Sequence, residues 1–109
     1  MELKKINAIA FEEVIYDNEE KCLVVFTRNN CPICKQVLPR LKRIGDDYQD
    51  RFEFYLVDVE EAMDLFRRFP LKGVPSLLFF SDGEYQGKLV GNLDEEKITD
   101  KIEKILQTG

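Results

Sequence analysis

An α/β fold, with a central mixed sheet of four to five strands flanked by helices on both faces, is predicted by three observations. Short β-branched and aromatic runs alternate with stretches whose apolar residues recur every three or four positions. The first runs are each followed by such a stretch, which implies parallel pairing through right-handed crossovers. The last two runs, divided by Ser81-Asp82-Gly83-Glu84, read as an antiparallel hairpin. At 109 residues the chain fits one domain, spanning 1–109.

The elements follow in order. Lys4 to Ile6 suits a short strand. From about Ala8 to Asn18, Ile9, Phe11, Val14 and Ile15 form a roughly helical stripe. CLVVFT, Cys22 to Thr27, is a continuous apolar run and reads as a strand covered on both faces. In the next stretch Val37, Leu41, Ile44 and Tyr48 share one helical face. Pro32 suits the first helical position, and Pro39 lies inside the helix, where a kink is expected. RFEFYLVDV, Arg51 to Val59, is another strand. A helix then places Ala62, Phe66 and Phe69 together, and Pro70 ends it. Ser76 to Phe80 and Tyr85 to Gly91 are the hairpin strands, with Gly83 in the turn and Gly87 marking a bulge. Asp94 caps a last helix carrying Ile98, Ile102 and Ile105, with Glu95 and Glu96 at the positive end of its dipole.

Composition narrows the function. Eight Phe and four Tyr within a 44% hydrophobic chain supply a core without metal or disulfide staples. A net charge of −5 argues against nucleic acid and anionic membranes as partners. The opening stretch MELKKINAIAFEEVI has no sustained apolar run, and no run approaches the ~18 apolar residues of a spanning helix. The expected compartment is the cytoplasm. With no His in the chain, Cys/His and Ser/His pairs, imidazole metal ligands and haem ligation by His are all excluded.

Three cysteines do not make a disulfide framework. Two of them, Cys31 and Cys34, lie at a strand-to-helix junction. A cysteine there sits at the positive end of the helix dipole, and first-turn N–H groups, expected from Ile33 and Cys34, point at its sulfur. Both effects favour the thiolate, so the Cys31 pKa is expected to be depressed. The thiolate attacks a disulfide, and Cys34, one turn on, resolves the mixed disulfide. A zinc site needs four ligands, and only Cys22 remains to join the pair, so no metal is expected. Cys22, on the buried strand, reads as a small core residue. Arg28 and Lys35 near the thiolate either lower its pKa or are simply solvated.

CLVVFTRNNCPICKQVLPRL and LKGVPSLLFFSDGEYQGKLVG resemble the active-site and cis-proline segments of the thioredoxin superfamily. The resemblance runs from about Phe11 to the C-terminus. It implies a thioredoxin fold and a thiol–disulfide oxidoreductase that reduces protein disulfides through a redox-active Cys31–Cys34 pair. It further implies a cis Pro75 facing that pair, with Val74 presenting its backbone to an extended substrate and Gly91 lining the same groove. Asn30 stands at one tryptophan position of the family and is a candidate substrate contact; Thr27 stands at the other. The family's buried aspartate behind the second cysteine aligns with Val25, and the lysine paired near it with Phe54. Pro32-Ile33 is closer to the glutaredoxin dipeptide, but the glutaredoxin Gly-Gly segment is replaced by Ser81-Asp82-Gly83. The implied partners are disulfide-bearing proteins and a reductase that recharges the dithiol. A monomer without organic cofactor is expected. The alternatives are a binding module with little redox chemistry and a glutaredoxin-like or isomerase activity.

Overall fold

The computed structural model describes residues 3–91 and 93–108; residues 1, 2, 92 and 109 of the 1–109 span lie outside the described residues. The elements run β1 (Lys4–Lys5), α1 (Ala8–Glu12), β2 (Cys22–Thr27), α2 (Pro32–Asp47), β3 (Glu53–Asp58), α3 (Met63–Arg68), β4 (Ser76–Ser81), β5 (Glu84–Val90) and α4 (Glu95–Thr108). The sheet order is β1-β3-β2-β4-β5. β1, β3 and β2 are parallel, while β4 is antiparallel to both β2 and β5. This is the mixed five-stranded sheet that the sequence predicts.

β2 is the centre of this arrangement, and all six of its residues are buried. Side chains alternate across a strand. Cys22, Val24 and Phe26 therefore face one core, shared with Phe11, Ile15, Leu65 and Phe80. Leu23 and Val25 face the other, shared with Val37 and Leu41 of α2 and Ile98 and Ile102 of α4. Covering both faces is what allows the run to be continuously apolar.

Local chemistry sets the ends of the elements. Asp82 (φ 56°) and Gly83 (φ 79°) both occupy the left-handed region. A two-residue turn of that kind joins hairpin strands with matching twist. Beyond it the register shifts: Phe80 pairs with Tyr85 but Phe79 with Gly87, leaving Gln86 as the extra residue of the expected bulge. Asp94 accepts the Lys97 N–H at 2.9 Å, capping α4 as its sequence implies.

The first helix corrects the expected stripe. Its turns widen after Glu12, where Asn18 donates to the Glu13 carbonyl five residues back at 2.8 Å. Phe11, Val14 and Ile15 enter the core, but Ile9 is 80% exposed. Ile9 is two residues from Phe11, about 200° around the helix, and so points away from the sheet.

Two tyrosines tie separate segments together through carboxylates. The Tyr48 hydroxyl donates to Glu103 and the Tyr55 hydroxyl to Glu20. Burial first, and these hydrogen bonds second, push both phenols up, Tyr48 to about 12. The folded state thus holds these protons more tightly than the unfolded chain, whose tyrosines titrate near pH 10. The contribution to stability is complete below that pH and is lost as pH rises through the folded values. Urea midpoints should stay level to about pH 9 and fall between about pH 10 and 12. A midpoint that stays level to pH 12 would contradict this.

Candidate active site

The site forms where β2 ends and α2 begins. Asn30 takes a left-handed backbone conformation (φ 61°), which Asn tolerates better than most residues. This turns the chain from the buried strand into Cys31, the N-cap of α2, which has extended backbone angles. Pro32 follows at the first helical turn, where an N–H would have no intrahelical partner. The Cys31 carbonyl accepts the Lys35 N–H at 3.2 Å, and the helix continues through Pro39 to Asp47.

Cys31 and Cys34 are joined as a disulfide, with Cα atoms 5.2 Å apart. Their environments differ. Cys34 is 2% exposed and lies against α2's buried face, whereas Cys31 is only half-buried. The Cys31 Sγ accepts the Cys34 N–H at 3.1 Å. Of the two expected donors, Cys34 supplies this contact. A half-buried sulfur at a helix N-terminus and a buried sulfur one turn on are suited to unequal tasks: one meets a substrate, the other stays shielded.

A cleft of about 650 Å³ opens beside the pair. Asn30, Cys31 and Cys34 line it together, so the structure brings these three predicted residues to one place. Arg28, Lys35, Thr27 and Asp58 line it as well. Val74, Pro75 and Gly91 meet in a second cleft of about 400 Å³. The Val74–Pro75 peptide is cis, and the Pro75 carbonyl accepts the Gly91 N–H at 3.3 Å. The two clefts belong to one end of the sheet. Ser76, next to Pro75, pairs with Phe26 of β2 on one side and Val90 of β5 on the other. The Cys31 loop leaves β2 just past that point.

The strand register corrects one expectation. Val25 pairs with Leu56, while Phe54 pairs with Leu23. The side chain beside Val25 in the sheet is therefore Leu56, not Phe54; Leu56 lines the cleft of Cys34 together with Lys5 and Asp58. Reasoning from the sequence missed Asp58, because nothing local marks it. It is the last residue of β3, paired with Thr27, and a rule that ligands gather outside the carboxyl ends of parallel strands would have singled it out. Lys72 and Lys88 were missed likewise; they line the second cleft from either side of Val74 and Pro75 in sequence.

Cys22 stays in the core. It is fully buried and unbridged, and burial, with Glu20 and Glu53 adding to it, pushes its thiol well up. In the reduced native protein an alkylating reagent should leave Cys22 unmodified until urea is added, as read by mass spectrometry. Modification of Cys22 as fast as Cys31 under native conditions would contradict its core placement. No described helix is long and apolar enough to cross a membrane, and the described residues contain no cluster of three or more metal-ligating side chains.

Comparison with known proteins agrees with this geometry. The thioredoxin family model matches residues 2–104. A thioredoxin from Staphylococcus haemolyticus is 29% identical over 97% of this chain and 100% of its own length. The chloroplastic M-type thioredoxin of Spinacia oleracea is 26% identical over 96% of this chain and 58% of its own. The chain spans between 55% and 62% of the length of the chloroplastic relatives it matches. Among solved structures, a mutant thioredoxin from Halobacterium salinarum superposes with a TM-score of 0.85 at 25% identity, covering 96% of this chain and 91% of that one. A match that takes in the Cys31–Cys34 junction, the cis-proline segment and all five strands shows that the chain belongs to the thioredoxin family.

Proposed function

We propose that the chain is a protein-disulfide reductase that works by dithiol–disulfide exchange at Cys31 and Cys34. The observation that carries this reading is the bridge between an accessible and a buried sulfur at the N-terminus of α2. In the reduced state the Cys31 thiolate, favoured by the helix dipole and the Cys34 N–H, attacks one sulfur of a substrate disulfide. A Cys31–substrate disulfide forms, and the departing thiolate takes a proton. Cys34 then loses its proton and attacks Cys31 Sγ, releasing the second substrate thiol. Two electrons and two protons pass to the substrate, and the protein is left with the bridge seen here.

Val74, Pro75, Gly91 and Asn30 hold the substrate segment, with Val74 offering its backbone to an extended chain. The supports are their convergence in two clefts at one sheet end and the cis peptide at Pro75. The dithiol is recharged by a partner reductase supplying two electrons. No organic cofactor takes part. A reducing compartment such as the cytoplasm suits a protein that must regain its dithiol. The chain acts as a monomer, and as one domain, 1–109, the latter because both cores are built on a single sheet.

The apolar pair Val25 and Leu56, where the family has an acid, favours a second reading, a binding module that recognises extended chains but turns over slowly. One assay separates them. A fluorogenic peptide disulfide with dithiothreitol as donor should be reduced much faster with the protein than without it. A rate equal to dithiothreitol alone, together with retained binding of the peptide, would move the assignment to the binding module.

A further inference from the structure

The redox end of the molecule is charged opposite to the chain as a whole. The net charge is −5. Yet Lys72 and Lys88 line the cleft that holds Val74, Pro75 and Gly91, and among the described residues no carboxylate lines it. Lys5, Arg28 and Lys35 line the cleft beside Cys31, where Asp58 is the single carboxylate among the described residues. One oxygen of Asp58 is already engaged, accepting the Glu60 N–H at 2.9 Å.

Of the five cations that line the two clefts, only Lys5 has an ion-pair partner among the described residues, Glu61 at 3.0 Å. Away from the clefts, Lys21 pairs with Asp82, Arg43 with Glu95 and Arg68 with Glu12. Among the described residues, Arg28, Lys35, Lys72 and Lys88 have no ion pair. Like charges gathered around a groove repel one another, and an occupant bearing negative charge relieves that repulsion. Val90 lies in the same cleft as Lys88 and is 57% exposed, so the groove offers an apolar step beside its cations.

We propose that this groove selects disulfide-bearing protein segments with Asp or Glu beside the reacting cysteine. The inference rests on the reading that Cys31 and Cys34 reduce protein disulfides. An extended segment advances about 3.3 Å per residue. A carboxylate one to three positions from a cysteine held at Cys31 thus passes along the groove wall. Exposed pairs contribute little once formed. The main effect is on encounter: a cleft lined by one sign of charge raises the association rate of the opposite sign by about tenfold or more, and salt screens it.

The test uses three peptides with the same disulfide and with flanks of Glu, Lys or Gln, plus a small uncharged disulfide as a control. With wild-type protein at low salt, kcat/KM should follow Glu over Gln over Lys, with about a tenfold spread between the ends. High salt should compress that spread. K72E/K88E, whose exposed positions spare the core, should reverse the order. The wild-type salt series needs no variant and stands even if the double variant folds poorly. Equal rates for all three peptides at low salt would overturn the proposal while leaving the reductase reading intact; Lys88 would then merely keep an edge strand from pairing. An unchanged preference in folded K72E/K88E would overturn the assignment to this groove. Failure to reduce even the uncharged disulfide would overturn both the reductase reading and the inference resting on it.

Discussion

Cys34→Ser arrests the reaction at its midpoint. The Cys31 thiolate still attacks the substrate, but a serine hydroxyl cannot displace sulfur from the mixed disulfide. The protein should accumulate as a covalent Cys31–substrate adduct, visible as a mass increase equal to one substrate fragment and reversed by dithiothreitol. Turnover of protein disulfides should be lost. Cys34 is 2% exposed and sits one turn from Cys31, in the position from which the mixed disulfide is resolved within the protein. Cys22 is buried and held as the thiol, so it cannot take over. Cys31→Ser, by contrast, should give neither adduct nor turnover. If Cys34→Ser kept full turnover with glutathione as donor, a monothiol, glutaredoxin-like cycle would replace the dithiol account.

The largest structural effect is expected at Phe80. Its ring is 1% exposed and meets Phe11 and Phe69 edge-on, both at 5.6 Å between centroids, and Tyr85 at 5.8 Å. It thereby joins β4 to α1, to the C-terminal end of α3 and to β5. Phe80→Ala removes that ring from a core that cannot collapse around the gap, at a cost of about 3–5 kcal/mol. Against a typical domain stability of about 5–15 kcal/mol this is a large share, visible as a marked drop in urea midpoint. Ile9→Ala supplies the contrast. Ile9 is apolar but exposed, and its loss should change stability by no more than about 0.5 kcal/mol. Equal losses at the two positions would contradict the packing described here.

The contrast between Phe80 and Ile9 shows what was legible in the sequence. β2 was readable because a run of five apolar residues and a β-branched Thr27, flanked by helical stripes, has few other solutions. The faces of α2 and α4 followed from their spacing, and Val37, Leu41, Ile44, Ile98 and Ile102 are all buried as that spacing requires. The hairpin and its bulge were written in Gly83 and Gly87. The Cys31–Cys34 pair was legible because two cysteines at a strand–helix junction have a specific chemistry. The cis state of the Val74–Pro75 peptide came from family resemblance, since composition and periodicity do not encode it.

The parts that were not legible share a cause: they depend on how distant segments meet. Pairing Val25 with Leu56 rather than Phe54 is a two-residue difference in register, which keeps every side chain on its expected face. Hydrophobic alternation therefore cannot detect it. Ile9 looked like part of a stripe because it is apolar, yet it lies about 200° around the helix from Phe11, on the face that no other element covers. The convergence of Lys72 and Lys88 depends on β5 lying beside the loop before β4, a relation set by the hairpin.

Protein-disulfide reduction requires Cys31 and Cys34 to cycle reversibly between dithiol and disulfide at a potential suited to reducing other proteins. Equilibrating the pure protein with graded dithiothreitol or glutathione redox mixtures, and trapping free thiols, measures that cycle. One two-electron transition is expected, confined to Cys31 and Cys34, with a midpoint at or below the cytosolic glutathione poise of about −220 to −260 mV. A midpoint clearly above that range would make the protein an oxidant or isomerase, and the absence of any reversible bridge would contradict the redox account itself.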